Sequence, residues 1–300
     1  MGDLKRFEDT LVSVLENRPE RSEVVVVTNR PYDDPYDLRG EVAFVEAPRG
    51  AGLLECFIAG LAVSRAEVVH LLAAGCEATP GWADAALARF DEPDVAAVAP
   101  LVVDRDRPQR ILSAGLRYTT AGGICHIGTG SSLDGFTPNE RLLCGPELTS
   151  AFYRRDALQN VRSLPHYGSP AAAAVELALA LRSAGYRCIQ QPQCVTAATA
   201  ALLKVYGGWR QGVAGEHLFR RWTTGPEGKR SWLAHAAMVA GEGLLIPLRP
   251  RLLGRLAGRF WAALGFAVPR ELSVSSPAAG HAQDTPARPP QFLAADSRAA

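Results

Sequence analysis

The sequence has no C-x-x-C pair and no long apolar run. Its six cysteines are widely spaced, and the nearest two, Cys188 and Cys194, stand six residues apart. This spacing favours a reducing cytoplasm over a framework of disulfides. The first residues, Met1 to Arg6, lead directly into an amphipathic pattern and show no secretory signal. Because a transmembrane helix needs about 18 or more consecutive apolar residues, we expect a cytoplasmic protein, with a peripheral position on the inner membrane face as a further possibility.

Excess charge of either sign is also absent. The chain of 300 residues has a formal net charge of +1, so the chain as a whole is not built to bind polyanions, and no nucleic-acid partner is expected. Lysine is confined to Lys5, Lys204 and Lys229, and arginine provides the other positive charges. The length suits one large α/β domain with an appendage.

Apolar periodicity alternates between helix and strand over the first hundred residues. The pattern predicts helices over 4–17, 53–64 and 82–90, and strands over 23–27, 42–45, 68–72 and 95–98. Strands that alternate with helices in this way are typical of a parallel sheet with right-handed crossovers. We therefore predict an α/β fold with a mostly parallel sheet flanked by helices, followed by a C-terminal helical extension.

The stretch EVVHLLAAGCEATPGW, residues 67–82, organises this prediction. It reads as a buried strand over 68–72, a loop of small residues over 73–79, and then a helix. Such a loop lies at the carboxyl edge of the sheet, where open α/β folds bind ligands. The stretch resembles the strand-loop-helix of the family 2 glycosyltransferases, inverting enzymes of the GT-A fold. In that family a D-x-D or N-x-D pair precedes P-G-W, and here Ala73 and Gly75 stand at the two acidic positions.

An earlier segment, EVVVVTNRPYD, resembles the family's nucleotide-binding strand. Asn29 and Asp33 match the family pattern, and Thr28 replaces an aspartate, so the resemblance implies that these three residues hold the nucleotide. The central first strand of the family has no counterpart before the helix at Leu4. We therefore expect either a reading frame that starts upstream of Met1 or a shortened copy, with unpaired backbone groups facing a gap.

Two later segments resemble the same family in the same order. The first, LLCGPELTSAFYRRDAL, is similar to its G-x-x-x-x-x-R-R-x-x-L segment. The second, ELALALRSAGYRC, resembles E-D-x-D-L-x-x-R-x-x-x-x-G-Y and places Ala173 and Ala174 on the Glu-Asp pair that supplies the catalytic base, with Glu176 on the next acidic position. The resemblance implies an acceptor side formed by four residues: Arg154, Arg155, His166 and Tyr167.

These replacements remove the oxygen atoms that sugar transfer requires. The leaving diphosphate is usually stabilised by Mg²⁺ or Mn²⁺ on carboxylates, and the acceptor hydroxyl must lose its proton to a base. Alanine and glycine do neither, so Mg²⁺ or Mn²⁺ is expected only if the protein is active. Glu77 is the candidate substitute metal ligand and Glu176 the candidate substitute base; an exposed loop glutamate and a packed helix are the competing interpretations. His70 is interpreted as a buried histidine with satisfied partners.

A basic stripe marks the C-terminal third. Arg251, Arg255 and Arg259 recur every four residues in an otherwise apolar segment. This pattern suits an interfacial helix on an anionic membrane, and it equally suits a helix packed on the main domain with its arginines outward. Residues 1–200 are predicted to form a GT-A-like domain, 201–272 a helical extension, and 273–300 a disordered tail rich in Ser, Pro and Ala.

Two functions follow from the resemblance. The family transfers a sugar from a UDP- or GDP-type nucleotide-sugar to a glycan or lipid acceptor with inversion, and this chain would do so only in catalytically impaired form. The alternative is a non-catalytic relative that binds a nucleotide, a glycan or a protein partner. A Rossmann-type dehydrogenase is disfavoured because Glu55 takes the place of the third glycine that should follow Gly50 and Gly52.

Overall fold

The computed structural model describes residues 2–119, 121–203, 208–223 and 228–274. The helices of these residues are α1 (Gly2–Asn17), α2 (Leu53–Val63), α3 (Asp84–Leu87), α4 (Arg155–Gln159), α5 (Pro170–Ser183), α6 (Trp209–Trp222), α7 (Gly228–Leu244) and α8 (Arg251–Ala263). The strands are β1 (Val24–Thr28), β2 (Val42–Glu46), β3 (Val68–Leu72), β4 (Cys76–Ala78), β5 (Val95–Asp104), β6 (Arg107–Ser113), β7 (Leu116–Tyr118), β8 (Ile124–His126), β9 (Ser150–Arg154), β10 (Ser163–His166), β11 (Arg187–Ala198) and β12 (Arg270–Ser273). Short 3₁₀ turns cover Leu38–Gly40 and Ala88–Asp91.

The central sheet is mixed, with strand order β3-β9-β5-β11-β4 and with β6 paired to β5. Only β5 and β11 run parallel within it, whereas β9 pairs antiparallel with both β3 and β5, and β4 pairs antiparallel with β11. The α/β class is confirmed, and the mostly parallel sheet is not. The reason is that β6 follows β5 without a crossover helix, and β9 then enters the sheet from the opposite direction.

The predicted elements of the first hundred residues are largely confirmed. Observed helices α1 and α2 and strands β1 to β3 lie within two residues of their predicted bounds. The predicted helix over 82–90 is short, because α3 covers only Asp84–Leu87 before a 3₁₀ turn. Strand β5 is longer than predicted, and all ten of its residues are buried, as expected for a strand at the centre of a covered sheet.

Helices cover both faces of the sheet. On one face α2 and α5 contact alternate strand residues such as Ala97 and Ala151. On the other face α3 and the side chain of Val14 from α1 contact Val98 and Phe152, which point the opposite way. Because successive strand residues point to opposite faces, the continuous apolar runs of these strands are explained by burial on both sides.

Strands β1 and β2 form a separate parallel sheet. Within the described residues β1 pairs only with β2, and β3 pairs only with β9. The starts of β1 and β3 are nonetheless joined, because the Glu23 carboxylate accepts hydrogen bonds from Ser64 Oγ and from the amides of Arg65 and Ala66. Helix α1 supplies Leu11 to the core of the smaller sheet, and α2 packs on the central one. The expected gap between these strands is therefore present in the described part of the chain.

Glycines bring α6 and α8 into close contact. A Cβ at Gly258 would fall on the backbone of Trp209, and a Cβ at Gly212 on the backbone of Arg255. Strand β12 then pairs antiparallel with β10, and this pairing returns the chain to the main body. No helix in the described ranges is long and apolar enough to cross a bilayer. Apart from residues 273 and 274, the predicted tail lies outside the described residues.

Helix α8 turns two of its arginines toward the protein. Arg259 is 5% exposed with Nε 3.4 Å from Glu242 Oε2, and Arg255 Nη2 lies 2.7 Å from Glu242 Oε1. The expectation of an outward basic stripe is therefore wrong for Arg255 and Arg259, because a carboxylate on α7 pairs with both. The side chain of Arg251 is outside the described part of the chain. The outward side is apolar, with four exposed large residues: Leu253, Phe260, Trp261 and Leu264.

Candidate functional site

The loop after β3 is filled by packing. Ala73 is buried, and its amide donates to the carbonyl of Thr149 at 2.9 Å. Gly75 has φ +99 and donates its amide to Thr10 Oγ1 of α1 at 2.8 Å. A Cβ on Gly75 would meet Cδ2 of Leu202 at 3.6 Å, so an apolar side chain lies over the second acidic-equivalent position. Neither position presents a side-chain oxygen to a ligand.

Glu77, the candidate substitute metal ligand, is paired with an arginine. It lies in β4, and its Oε1 forms an ion pair with Nη2 of Arg105, whose Nη1 lies 4.0 Å from Asp9 of α1. Across the described ranges, no three His, Cys, Asp or Glu side chains are placed to hold a metal ion together. Mg²⁺ and Mn²⁺ prefer oxygen ligands, so the residues around this loop do not fit either ion.

His70 is partly buried and packs among aromatic rings. Its ring stacks on Phe152 with a centroid distance of 3.9 Å and lies 4.3 Å from the ring of Trp82. Nε2 is 3.3 Å from Ser150 Oγ on the adjacent strand. Burial lowers the pKa of His70 to about 3, so the ring is neutral near neutral pH. The interpretation as a packed histidine with a partner is confirmed.

The three candidate nucleotide-binding residues lie at the end of β1. Thr28 closes the strand, and its carbonyl accepts a hydrogen bond from the amide of Ala47 at 2.8 Å. The Asn29 side chain donates to the carbonyl of Ala51 at 2.8 Å and so holds the loop that precedes α2. Asp33 is exposed in the following loop. The side chain of Asn29 thus stabilises the loop before α2, and the carboxylate of Asp33 faces solvent.

The base-equivalent positions lie inside the core. Ala173 and Ala174 of α5 are 3% and 1% exposed and pack in the main apolar cluster. Glu176 is also buried, and both of its carboxylate oxygens have partners. Oε2 accepts from Tyr167 Oη at 2.9 Å and from Trp222 Nε1 at 2.8 Å. Burial raises the pKa of Glu176, and the hydrogen bonds from Trp222 and Tyr167 act in the opposite direction.

A further partner completes the surroundings of Glu176. Its Oε1 lies 2.9 Å from Nε of Arg221, and Arg221 Nη1 lies 3.1 Å from Glu271 of β12. The carboxylate therefore connects α5, the loop at Tyr167, α6 and β12. This arrangement gives Glu176 a role in holding four segments together and leaves it no free oxygen for an acceptor hydroxyl.

The four residues expected on the acceptor side do not come together. His166 Nδ1 lies 3.6 Å from Glu55 Oε1, near the start of α2. Arg154 pairs with Val68 at the opposite end of β3, and its guanidinium donates to the carbonyls of the turn before β5. Arg155 begins α4 beside it. Because β9 is antiparallel to β3, these two arginines lie at the start of β3, at the opposite end of that strand from the loop after it.

The structure brings an unforeseen acidic residue to the loop after β3. Glu147 is 4% exposed, and its Oε2 lies 3.9 Å from His126 Nδ1 without a hydrogen bond. Burial raises the pKa of the Glu147 carboxyl to about 7 and lowers the pKa of His126. Two residues later, the Thr149 carbonyl accepts the Ala73 amide. The only signal in the sequence is that this glutamate interrupts the apolar run LLCGPEL just before β9. Apolar packing before β9 does not require a glutamate there.

Comparison with known proteins gives similarity at the level of solved structures. No protein-family model matches the chain, and no curated protein matches it. Among solved structures, the chain is similar to the crystal structure of GalNAc-T7 with UDP, GalNAc and Mn²⁺, with a TM-score of 0.47 and 15% sequence identity. The similarity covers 63% of this chain and 40% of the GalNAc-T7 chain, so this chain spans less than half the length of that protein.

Proposed function

We propose that the chain is a GT-A-like relative of the family 2 glycosyltransferases that binds a UDP- or GDP-type nucleotide or nucleotide-sugar and does not carry out metal-dependent sugar transfer. The observation that carries this proposal is the filled loop after β3, where Leu202 lies over Gly75 and Glu77 is paired with Arg105. Metal-assisted transfer needs carboxylate oxygens there to hold the cation that stabilises the leaving diphosphate. Alanine, glycine and an arginine-paired glutamate do not supply them.

The surroundings of α5 support the same proposal. A general base must have a free oxygen within hydrogen-bond reach of the acceptor hydroxyl. Ala173 and Ala174 have no such oxygen and are buried. Both oxygens of Glu176 already accept from or pair with Tyr167, Trp222 and Arg221.

Retained nucleotide binding is supported by the end of β1. The Asn29 side chain is fixed on Ala51, and the exposed carboxylate of Asp33 follows within the same loop. A carboxylate in this position is able to accept hydrogen bonds from ribose hydroxyls or a base. A glycan, a lipid acceptor or a protein partner is the proposed second ligand of such a binding module.

A metal-independent transferase is the second candidate. Glu147 favours it, because burial brings its pKa to about 7 and its segment contacts Ala73 directly. A general base works best with a pKa near the operating pH. In this candidate Glu147 would accept the proton that Ala173 and Ala174 are unable to take.

Nucleotide titration and turnover assays test the proposal together. We expect saturable calorimetric binding of UDP or GDP and no transfer or hydrolysis of UDP- and GDP-sugars with Mn²⁺. Asp33→Asn should weaken nucleotide binding by about tenfold, as for the loss of a hydrogen bond to a charged group. Asp134→Asn, which changes an exposed aspartate in another loop, is the matched control and should have no effect.

Each outcome of these assays has a distinct meaning. Turnover that depends on Mn²⁺ would contradict the proposal. Turnover without metal that disappears in Glu147→Gln would establish the second candidate instead. Absence of binding for every nucleotide would remove the nucleotide ligand from the proposal.

We also propose a cytoplasmic location with the C-terminal helices against the inner membrane face. All six cysteines are free thiols, which suits a reducing compartment. The outward side of α8 carries Phe260 and Trp261 at 62% and 44% exposure. On either side of α8, Arg249 and Arg270 are exposed, and exposed arginines favour anionic lipid.

A further inference from the structure

A cavity of about 420 Å³ lies between the start of α5 and the C-terminal helices. Its size falls in the range of about 300–1,000 Å³ that ligand pockets occupy. Small residues leave the space open, among them Gly123, Ala171 and Gly215, and the charged residues Glu242, Arg255 and Arg259 form part of the wall. The cavity is separate from the loop after β3 and from the end of β1, since no residue of either lines it.

Arg259 is a buried cation with free donors in this wall. Its side chain is 6% exposed, Nε lies 3.4 Å from Glu242 Oε2, and Nη1 lies 4.0 Å from Glu216 Oε2. Neither Nε nor Nη1 makes a hydrogen bond. A Cβ at position 215 would lie only 3.4 Å from Nη1, so Gly215 leaves room for the guanidinium. A buried guanidinium without hydrogen bonds is costly unless a further acceptor reaches it.

The charges around the cavity leave a positive excess. Among the described residues that line it, two arginines, Arg255 and Arg259, accompany one carboxylate, Glu242. His235 does not add an acceptor, because Nδ1 lies 2.7 Å from the Ala121 carbonyl and Nε2 lies 2.9 Å from Glu216 Oε2. The lining therefore has one more cation than anions, and the carboxylates of Glu242 and of the neighbouring Glu216 are each already shared between cations.

The start of α5 adds a second source of positive potential. This helix has 14 residues, begins at Pro170 after the N-cap Ser169, and presents Ala171 and Ala172 to the cavity. Pro170 has no amide hydrogen, and the amides of Ala172 and Ala173 donate to Ser169 Oγ and to the Ser169 carbonyl, so the Ala171 amide is the free donor of this turn. The helix dipole places partial positive charge there. Anions bind at such positions when side-chain donors are also present.

We propose that this cavity binds the phosphate group of an anionic ligand, with Arg255, Arg259 and the amide of Ala171 as its donors. A phosphate has several acceptor oxygens, and arginine is well suited to bind them. It would give Arg259 the hydrogen-bond partners that the folded chain does not provide and would balance the excess charge. This site is distinct from the proposed nucleotide site at Asn29 and Asp33 and does not depend on it.

Calorimetric titration of the full chain with inorganic pyrophosphate and inorganic phosphate tests the proposal. We expect saturable binding that weakens as salt rises. Arg255→Gln should weaken it at least about tenfold, the effect of losing one charge-assisted bond. Ala171→Asp, which places a carboxylate at the start of α5, should abolish binding while leaving the helix N-terminus favourable. Arg249→Gln, which removes an exposed arginine that does not line the cavity, is the control and should bind normally.

Thermal unfolding shows whether each variant is folded. If Arg255→Gln does not fold, the binding test relies on Ala171→Asp. Absence of saturable binding, or binding unchanged in both variants, overturns the proposal, as does preferential binding of a neutral hexose. A parallel arm with phosphatidylcholine vesicles containing phosphatidic acid identifies the source of the phosphate. Binding of the vesicles that pyrophosphate displaces and Ala171→Asp removes would assign a lipid phosphate. UDP binding that is weakened in Asp33→Asn but unchanged in Ala171→Asp separates this site from the nucleotide site.

Discussion

The loop after β3 and the C-terminal helices distribute polarity in opposite ways. At the loop, two positions expected to carry carboxylates are occupied by Ala73 and Gly75 and are covered by apolar packing. In α6 to α8, charged side chains such as Arg259 and Glu242 are buried, and apolar ones such as Phe260 face outward. The comparison shows that an alternating pattern identifies two faces of an element but does not decide which one is inside. The groups packed against the element decide which face is inside. For α8 these groups are the buried carboxylates of Glu216 and Glu242.

The close contact between α6 and α8 is the most sensitive part of the C-terminal region. We expect Gly258→Ala to lower the free energy of unfolding by about 3 kcal/mol, because the added methyl would fall on the backbone of Trp209 and separate the two helices. Gly241→Ala in α7 is the control, since a Cβ there meets nothing within 4 Å, and it should gain about 0.5–1 kcal/mol. Urea unfolding of both variants measures the difference. Equal stability of Gly258→Ala and Gly241→Ala would show that the buried charged residues of α6 to α8 are accommodated without close contact between α6 and α8.

The buried glutamate beside the loop after β3 should make stability depend on pH. Burial raises the pKa of Glu147 from 4.5 to about 7, so the folded chain holds its proton more tightly than the unfolded chain. The resulting stabilisation is fully present below pH 4.5 and is lost as the pH rises through about 7. Relative to wild type, Glu147→Gln should gain about 3 kcal/mol over this window.

Urea unfolding of wild type and Glu147→Gln at a series of pH values measures that gain. The lowered pKa of His70 makes stability rise with pH in both proteins, and subtracting one stability curve from the other removes this contribution. Glu140→Gln, which alters an exposed glutamate nearby in the chain, should follow wild type. A pH-independent difference between wild type and Glu147→Gln would mean that the carboxyl is ionised in the fold. The region of the loop after β3 would then also contain a buried ionised carboxylate, as the C-terminal helices do, and the contrast between the two regions would be weaker.

Restoring an acid to the loop after β3 should cost stability without creating a metal site. Gly75→Asp places a side chain at φ +99 and a carboxylate under Leu202, and we expect a loss of about 1–3 kcal/mol. Ala74→Asp, at the exposed position next to it, should be nearly neutral. Chemical unfolding measures the loss, and electron paramagnetic resonance of Mn²⁺ reports binding. Tight Mn²⁺ binding by Gly75→Asp would show that the covering side chain moves aside easily.

The outward side of α8 should affect membrane binding with little effect on folding. Trp261→Ser and Phe260→Ser should reduce binding to vesicles with anionic lipid several-fold, because interfacial aromatic side chains contribute to such binding. The unfolding free energy of Phe260→Ser should change by less than about 0.5 kcal/mol, as expected for an exposed position. Trp261→Ser should lose about 1 kcal/mol, because Trp261 contacts the rings of Trp209 and Phe266. Val12→Ser, at a half-exposed apolar position on α1, is the control for flotation assays. Unchanged flotation in all three variants would end the membrane proposal.

The sequence predicted the first hundred residues well because strong local patterns decide them. The runs at β1 and β3 are too apolar for any position except a covered strand, and α1 has an unbroken helical period. It failed where distant pairing decides the outcome. The antiparallel entry of β9 between β3 and β5 reversed the expected position of Arg154, and no local pattern encodes that direction.

The candidate site was predictable only in part for the same reason. The positions of Ala73 and Gly75 at the end of β3 follow from local order along the chain. The ion pair between Glu77 and Arg105 joins residues 28 positions apart, and the contact of Leu202 with Gly75 spans a still longer separation. Glu147 was missed because a buried, unpaired carboxyl has no pattern that distinguishes it from a surface glutamate.

The separation of the β1–β2 sheet from β3 has a consequence for how the molecule opens. Each of these strands has one backbone edge without a ladder partner in the described residues, so helix packing and the Glu23 contacts hold the smaller sheet in place. Segments held mainly by side-chain packing exchange their amide hydrogens through local opening. Under native conditions, deuterium should enter β1 and β2 well before it enters β5 and β11, because the smaller sheet is the unit that detaches first.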